Sequence, residues 1–272
     1  MNYAKMFSLA GKSAIVTGGA GILGRRCCEA LAQAGANVAI VDIDGAGARK
    51  LSQKLRDDYP VKTAAILCDV SKPAQVSRMV KAAVRALGPI HILHNNAASK
   101  SKELERFFET FENYSLSEWR NIMSVNIDGM FLVAQAVGRQ MIQQRSGGSV
   151  VQTASIYGLL APDPRIYEGS HYLKRAINTP AVYTASKASV IGLTRHLAVL
   201  WAEHGIRVNT LTPGGVESGQ NDIFKRNYSK RIPMGRMAKP HEMAGALIYL
   251  ASEASSYVTG QNLVVDGGLS AW

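Results

Sequence analysis

The chain has 272 residues, 47% of them hydrophobic and 19% charged, a composition typical of one soluble globular domain that we expect to span residues 1–272. No stretch approaches the roughly 18 apolar residues of a membrane span, and residues 1–11 lack the apolar region of a signal peptide. The net charge of +11 is spread along the chain without a basic run, and the three cysteines and six histidines show no disulfide or metal-ligand spacing. We therefore expect a cytoplasmic protein with no metal, membrane or nucleic-acid partner.

A strand, a glycine-rich turn, a helix and a second strand open the chain. The β-branched residues 12–17 predict the first strand, and in the turn that follows Gly19, Gly21 and Gly24 have the spacing of a dinucleotide-binding fingerprint. Asp42 ends the second strand, where such folds place a carboxylate that binds a ribose. Glycines let the backbone approach a pyrophosphate, whose charge meets the amino end of the helix. The alternative, a turn with only a structural role, is disfavoured by the strand, helix and acid around it.

Strands and helices continue to alternate along the chain. The predicted strands cover residues 12–17, 37–41, 63–67, 90–93, 149–152, 206–211 and 262–265. The predicted helices cover residues 25–34, 44–58, 71–87 with Ser71 as the N-cap, 117–144, 179–203 and 241–252. This alternation predicts an α/β fold, a Rossmann-like doubly wound parallel sheet of about seven strands with helices on both faces. Ligands bind such sheets beyond the carboxyl ends of the strands. The residues at those ends should therefore share one crevice: Asp69, Asn95, Ser155 and Pro213.

Tyr183 and Lys187 are four residues apart in a predicted helix, so their side chains should lie on one face. A free tyrosine has a pKa of about 10, and a nearby positive charge favours its ionised form. The pair could then exchange a proton with an alcohol or a carbonyl. The alternative is an ordinary pair on a helix surface. Of the ten tyrosines, only Tyr183 is followed by a lysine at this spacing.

The chain resembles the short-chain dehydrogenase/reductase family, in its single-domain branch of roughly this size. The resemblance runs from about residue 9 to residue 269 and depends on motifs that occur in a fixed order. These are the glycine turn, Asp69-Val70, Asn95-Asn-Ala-Ala98, Asn126, Ser155, Tyr183-x-x-x-Lys187, Pro213-Gly214 and Val265-Asp-Gly-Gly268.

The resemblance implies a role for four residues. Tyr183 would be the acid/base, and Lys187 would bind the nicotinamide ribose and lower the pKa of the tyrosine. Ser155 would bind the substrate oxygen, and Asn126 would hold a water that joins Lys187 to solvent.

The resemblance also implies an NAD or NADP site. Its expected contacts are Gly18, Gly21, Ile22, Leu23, Gly24, Asp42, Ile43, Asp69, Val70, Asn95, Ala97, Tyr183, Lys187, Pro213, Gly214 and Val216. Asp42 would accept both ribose hydroxyls of NAD, whereas the 2′-phosphate of NADP would place like charges together. We therefore expect NAD, with NADP the less favoured cofactor.

Three features depart from the usual family pattern. Ile22 occupies a usual glycine position of the turn, and Ala98 replaces the final glycine of the asparagine motif. The segment between the candidate serine and tyrosine is unusually long, with an insert at about residues 160–180. We expect this insert and a lid at about residues 216–239 to cover the active site.

The expected substrate contacts are Ser155, Tyr157, Arg165, Arg175 and Tyr183. Because arginine suits phosphate groups, we expect a polar or anionic substrate such as a sugar, a phosphorylated sugar or a sugar nucleotide. Solvated loops are often basic, however, and some of these arginines could pair only with nearby acids. The insert is also similar to oxidoreductases of bacterial surface-sugar and flagellin-modification pathways.

The sequence thus predicts an NAD-dependent oxidoreductase that interconverts a secondary alcohol and a ketone by hydride transfer. Two alternatives remain open, a sugar-nucleotide epimerase or dehydratase that retains its NAD, and a catalytically silent NAD-binding regulatory protein. We also expect a homodimer or homotetramer, because two predicted helices carry more apolar residues than one sheet face needs. These residues are Phe131, Leu132, Val137, Val190, Leu193 and Leu197.

Overall fold

The computed structural model describes residues 2–101, 104–172 and 175–272. The strands of this part are β1 Ser13–Thr17, β2 Asn37–Asp42, β3 Thr63–Leu67, β4 Ile92–Asn95, β5 Gly148–Thr153, β6 His171–Tyr172, β7 Arg175–Ala176, β8 Ile206–Pro213 and β9 Asn262–Val265. Seven of them form a parallel sheet in the order β3-β2-β1-β4-β5-β8-β9, and β6 pairs with β7 in an antiparallel pair. The predicted α/β fold with a parallel sheet of about seven strands is confirmed.

Helices connect and flank these strands. They are α1 Ile22–Gln33, α2 Gly45–Asp58, α3 Pro73–Leu87, α4 Leu104–Phe107, α5 Leu116–Met123, α6 Met130–Gln144, α7 Ala181–Leu200, α8 Asp222–Ser229 and α9 Ala244–Ala251. A π-helical segment, Ser124–Gly129, joins α5 to α6. Among the described helices, none combines the length and the apolarity that crossing a membrane requires.

The five central strands of the sheet, β2, β1, β4, β5 and β8, are buried on both faces, which explains why they read as nearly continuous apolar runs. Successive side chains of a strand point to opposite faces. Ile15 accordingly packs in a core with residues of α3, α6 and α7, whereas Val16 packs in a second core with residues of α1, α2 and α9. Full burial of one such side chain contributes about 1.5–3 kcal/mol. The two cores therefore hold the carboxyl ends of the strands in fixed positions.

Several predicted helix and strand boundaries differ from the structure, and local contacts explain two of the differences. The fourth strand is shifted by two residues to β4, because the backbone of Ile90 hydrogen-bonds the side-chain amide of Gln144 on both its N–H and its C=O. Ser71 does not cap α3, since its hydroxyl donates to Asp69 at 2.7 Å. Pro73 begins that helix, where its missing N–H leaves no donor to satisfy.

The segments predicted as insert and lid contact each other. The lid contains α8, which the sequence analysis missed, and its N-cap Asn221 exchanges side-chain hydrogen bonds with Ser170 of the insert at 2.8 and 3.1 Å. Farther along, Arg231 forms an ion pair with Asp163. Polar contacts at both ends of α8 thus join the two segments.

Candidate active site

A cavity of about 690 Å³ lies beyond the carboxyl ends of β4, β5 and β8. Doubly wound sheets bind their ligands at this edge, beyond the carboxyl ends of the strands. The central part of its wall consists of Ile22, Leu23, Asn96, Ala98, Thr153, Ser155, Tyr183, Lys187, Pro213 and Gly214. The insert and the lid complete the wall, with Tyr167, Asn178, Thr179, Val216, Phe224 and Tyr228 among their contributions. Sequence positions more than a hundred residues apart therefore meet in one space.

Three of the four predicted catalytic side chains meet in this cavity. Tyr183 and Lys187 lie one turn apart on α7, with the ammonium nitrogen 6.0 Å from the centre of the tyrosine ring. Ser155 follows β5, and its hydroxyl lies close enough to the phenol of Tyr183 to lower the pKa of that phenol. The backbone N–H of Tyr157 donates to the Ser155 hydroxyl at 3.2 Å and fixes its position. The arrangement aligns two hydroxyls with a cation behind them.

Burial shapes the protonation of this group. Lys187 is 2% exposed and donates to the carbonyl oxygen of Thr153 at 2.9 Å. Loss of hydration lowers the pKa of Lys187 to about 8. The same loss raises the pKa of Tyr183, and the neighbouring Ser155 hydroxyl offsets only part of the rise. The structure therefore differs from the predicted lowering of the tyrosine pKa, because desolvation outweighs the stabilisation of the phenolate by Ser155.

Asn126 lies behind the cavity and not in its wall. It belongs to the π-helical segment, a form that recurs at functional sites. Its side-chain oxygen accepts from the backbone N–H of Ser99 at 2.7 Å, and its amide nitrogen donates to Ser186 at 3.4 Å. Ser186 immediately precedes Lys187. Asn126 thus ties the loop after β4 to the helix that carries the candidate lysine.

The glycine turn and Asp42 fit the phosphates and ribose of a dinucleotide. Gly18 has a φ of +64°, and a Cβ on Gly24 would lie 2.0 Å from the carbonyl oxygen of Gly18, so both positions require glycine. The Asp42 carboxylate accepts from the backbone N–H groups of Ala20 and Asp44 at 2.9 and 3.0 Å. It is therefore held beside the turn, at the end of β2, by the backbone itself. Gly21 caps the amino end of α1, which favours an anion.

The other predicted cofactor positions fall into two groups. Ile22, Leu23, Pro213, Gly214 and Val216 line the cavity, while Ile43 is exposed beside Asp42.

The second group lies at the strand ends without lining the cavity. Asp69 binds the N–H and hydroxyl of Ser71, and Val70 is buried. Ala97 lies against Gly18. Asn95 is buried and donates to the carbonyl of Met130 at 2.8 Å.

Asn96, which the sequence analysis passed over, takes the place of Asn95 in the cavity wall. Thr17 explains this arrangement, because its hydroxyl donates to Asn95 and accepts from the backbone N–H of Asn96 at 2.9 Å. Within the described residues, no group of histidine, cysteine and acidic side chains could hold a metal ion.

The predicted substrate contacts need one correction. Tyr157 lines the cavity, but Arg165 lies outside it, 78% exposed and paired with Asp163 at 2.7 Å. The side chain of Arg175 lies outside the described part of the chain. The alternative that the insert's arginines pair with nearby acids therefore holds for Arg165.

Two aromatic wall residues of α8, Phe224 and Tyr228, were not predicted from the sequence. Phe224 and Tyr228 are four residues apart, and their rings lie 5.5 Å apart. Two aromatic residues four positions apart in the otherwise polar lid segment are typical of an amphipathic helix, so the sequence did indicate α8.

Comparison with known proteins gives the family. The family model described as Enoyl-(Acyl carrier protein) reductase matches residues 18–270. A crystal structure titled a short-chain type dehydrogenase/reductase from Mycobacterium marinum superimposes with a TM-score of 0.86, at 33% identity, with 100% of both chains covered. The chain belongs to the short-chain dehydrogenase/reductase family. This short-chain dehydrogenase/reductase is an oxidoreductase that acts on CH–OH groups.

Curated relatives of this short-chain dehydrogenase/reductase include polyol dehydrogenases. The galactitol 2-dehydrogenase (L-tagatose-forming) of Cereibacter sphaeroides is 34% identical, with 100% of both chains covered. The D-arabinitol 2-dehydrogenase (ribulose-forming) of Candida tropicalis is 36% identical over 100% of this chain and 96% of its own.

Solved relatives hold either nicotinamide cofactor. A gluconate 5-dehydrogenase from Burkholderia cenocepacia J2315 in complex with NADP and tartrate has a TM-score of 0.86 at 32% identity, with 100% of both chains covered. An NAD⁺-bound xylitol dehydrogenase has a TM-score of 0.83 at 28% identity, over 96% of this chain and 99% of its own. Short-chain dehydrogenase/reductase relatives thus bind NAD(P).

Proposed function

We propose that this protein is an NAD-dependent polyol dehydrogenase that interconverts a secondary alcohol of a sugar alcohol and the corresponding ketone. The observation that carries the proposal is that Ser155, Tyr183 and Lys187 meet in the wall of one cavity, with the hydroxyls of Ser155 and Tyr183 next to each other. The names of the relatives favour polyols over the bacterial surface sugars that the insert first indicated.

Each candidate catalytic side chain has a task that its position supports. In the oxidation direction, Tyr183 takes the proton from the substrate hydroxyl, and Ser155 holds the oxygen by a hydrogen bond. Lys187, anchored on Thr153, places positive charge near the phenolate. Asn126 positions α7 through Ser186. A nicotinamide cofactor, when bound by the glycine turn, Asp42 and the cavity wall, would supply the acceptor for the hydride of the carbinol carbon.

The cofactor would be held by the glycine turn, by Asp42 and by five residues of the cavity wall, which are Ile22, Leu23, Pro213, Gly214 and Val216. Asp42 supports NAD over NADP, because its carboxylate would repel a 2′-phosphate. Arg25 lies at the same turn, where its guanidinium donates to the carbonyl of Ala20 at 3.4 Å. Its positive charge would offset part of the repulsion between Asp42 and a 2′-phosphate. Measured selectivity will therefore show which of the two charges dominates, and we expect Asp42 to dominate.

Replacing Asp42 with alanine should erase most of the preference for NAD. A hydrogen bond to a charged group is worth about 1.5–3 kcal/mol, so the ratio of kcat/KM for NAD to that for NADP should fall roughly 10- to 100-fold. Steady-state kinetics with both cofactors measures the ratio. Asp44→Asn is the matched control, because it removes the neighbouring charge yet asparagine still caps α2. A parent that prefers NADP would reject the assignment.

The cavity wall supports a neutral polyol rather than a phosphorylated sugar. Arg165 lies outside the cavity, and in the lid Lys225 pairs with Asp222 at 3.5 Å while Arg236 pairs with Glu242 at 2.6 Å. Lys100 and Lys187 also line the cavity, but the tyrosine side chains of the insert and the lid offer hydroxyls instead of charges. We therefore propose that the insert and the lid form a polar roof over the substrate.

The experiment is a screen for NAD reduction with galactitol, D-arabinitol, their phosphorylated counterparts, a sugar nucleotide and simple secondary alcohols. Turnover with the free polyols supports the proposal. Turnover confined to phosphorylated or apolar alcohols rejects the substrate class. A protein that purifies with tightly held NAD and converts only a sugar nucleotide, without net NAD reduction, would be the epimerase or dehydratase alternative.

Exposed apolar residues on α6 and α7 support self-association, although fewer of these residues are exposed than the sequence predicts. Val137, Val190 and Leu197 are buried in the cores, so they are not available to a partner. Phe131 on α6 and Val199 on α7 are exposed, at 46% and 83%. We expect a dimer or tetramer by light scattering at micromolar concentration, and dissociation in the double variant Phe131→Glu, Val199→Glu. A monomeric parent would contradict this expectation.

A further inference from the structure

Three tyrosines from three separate segments meet on one side of the cavity. Tyr157 follows the candidate serine, Tyr167 belongs to the insert and Tyr228 to α8 of the lid. All three line the cavity that contains Tyr183. Tyr167 and Tyr228 also lie close enough to Tyr183 for its charge to affect their pKa values. The group therefore lies next to the hydroxyl that would exchange the proton.

The three phenols and the hydroxyl of one threonine form a connected group. Tyr167 hydrogen-bonds the hydroxyl of Thr179, and Tyr157 lies close enough to Tyr167 and Tyr228 for the phenols to affect its pKa. We call these four residues the tyrosine chain. Each hydroxyl has one donor proton and two acceptor lone pairs. The group can therefore both donate hydrogen bonds to a ligand in the cavity and accept them from it.

Neighbouring side chains pack against the tyrosine chain. The ring of Phe224 lies 5.6 Å from that of Tyr167 and 5.5 Å from that of Tyr228, so it packs against both phenols. The ion pair of Arg231 with Asp163 holds the lid segment that follows α8 against the insert. Fixed hydroxyls lose little conformational entropy when a ligand binds.

The tyrosine chain is also uncharged over the whole physiological range. Burial raises the pKa of each of the three phenols above its ordinary value, that of Tyr167 least clearly because two hydrogen bonds oppose the rise. Neutral hydroxyls can both donate and accept, as the hydroxyls of a polyol do. A phosphate would find no cation among these four side chains.

We propose that the tyrosine chain binds the hydroxyls of the substrate beyond the reacting carbon, and that it thereby selects polyols over simple alcohols. The inference deepens the proposed function and rests on it. The competing interpretation is that the phenols only pack, since Tyr228 belongs to a small apolar core with Ile232 and Met237. Phenylalanine substitutions separate the two, because they keep the ring and remove the hydroxyl.

The test compares D-arabinitol with 2,3-butanediol, which has a secondary carbinol but lacks the outer hydroxyls. One hydrogen bond is worth about 0.5–1.5 kcal/mol, so Tyr167→Phe or Tyr228→Phe should each lower kcat/KM for D-arabinitol roughly 3- to 10-fold. The value for 2,3-butanediol and the KM for NAD should change less than about twofold. Tyr257→Phe, which removes a hydroxyl from an exposed side chain outside the cavity, is the matched control.

The outcomes are distinct. A selective loss on D-arabinitol supports the inference. Equal losses on both substrates, or no loss on either, overturn it while leaving the polyol dehydrogenase assignment intact. A parent enzyme that oxidises 2,3-butanediol but no polyol overturns both the inference and the proposed function. Thermal unfolding of each variant shows whether an equal loss reflects damage to the fold.

Discussion

The Tyr183→Phe variant should lose turnover by roughly 10²–10⁴-fold, the usual contribution of a positioned acid or base. Phenylalanine keeps the aromatic ring in the wall of the cavity but removes the hydroxyl that lies next to that of Ser155. The substrate oxygen then has no group at residue 183 with which to exchange a proton. Affinity for NAD should stay near the parental value, because the glycine turn and Asp42 are unchanged. Steady-state kinetics and a calorimetric titration with NAD measure the two effects separately.

Tyr183→Phe is a sharp test because other phenols lie nearby. If Tyr167 or Tyr228 carried the proton instead, Tyr183→Phe would keep its turnover and one of their phenylalanine variants would lose it on every substrate. Tyr257→Phe should behave as the parent throughout. Turnover near the parental value in Tyr183→Phe would therefore reject the assignment and show where to look next.

The centre of the sheet could be predicted from the sequence because burial of its strands on both faces leaves a direct signature. The edge strands β3 and β9 are less buried, but they are short runs bounded by polar or turn residues, and their predicted limits agree with the structure. The limits of β4 could not be predicted in the same way. Gln144, about fifty positions away, takes both backbone groups of Ile90 out of the sheet. These hydrogen bonds form only in the folded protein, so the sequence around β4 does not indicate that Ile90 is left out of the sheet.

Parts of the candidate site depended on similar long-range effects. Two adjacent asparagines, Asn95 and Asn96, point to different surroundings, so a shift of one residue in the end of β4 decides which one reaches the cavity. Charge alone suggested that Arg165 binds substrate. The structure shows Asp163 capping the turn that contains Arg165 and pairing with it.

The tyrosine chain brings together positions 157, 167, 179 and 228, and no local pattern indicates that these positions meet. By contrast, the pair on α7 was predictable, because a spacing of four residues on a helix fixes proximity without help from the rest of the fold.

Replacing Gly24 with alanine should damage both the fold and the cofactor site. The new Cβ would lie 2.0 Å from the carbonyl oxygen of Gly18 and 2.8 Å from the Cα of Gly19, and both neighbours are backbone atoms that no rotamer change can move. The turn must therefore shift, and overpacking of this kind costs about 1–3 kcal/mol or more of unfolding free energy. Because the same turn would cradle the pyrophosphate, the Kd for NAD should rise at least roughly tenfold.

Gly245→Ala is the matched control for this change. Gly245 lies on the exposed side of α9, and a Cβ there meets no atom within 4 Å. Alanine in a helix is favoured over glycine by about 0.5–1 kcal/mol, so this variant should be slightly more stable than the parent and bind NAD equally well. Denaturant unfolding gives the two free energies, and NAD titration well below the unfolding temperature gives the two affinities. If Gly24→Ala matched Gly245→Ala in both measurements, the close approach of α1 to Gly18 would have no part in forming the cofactor site.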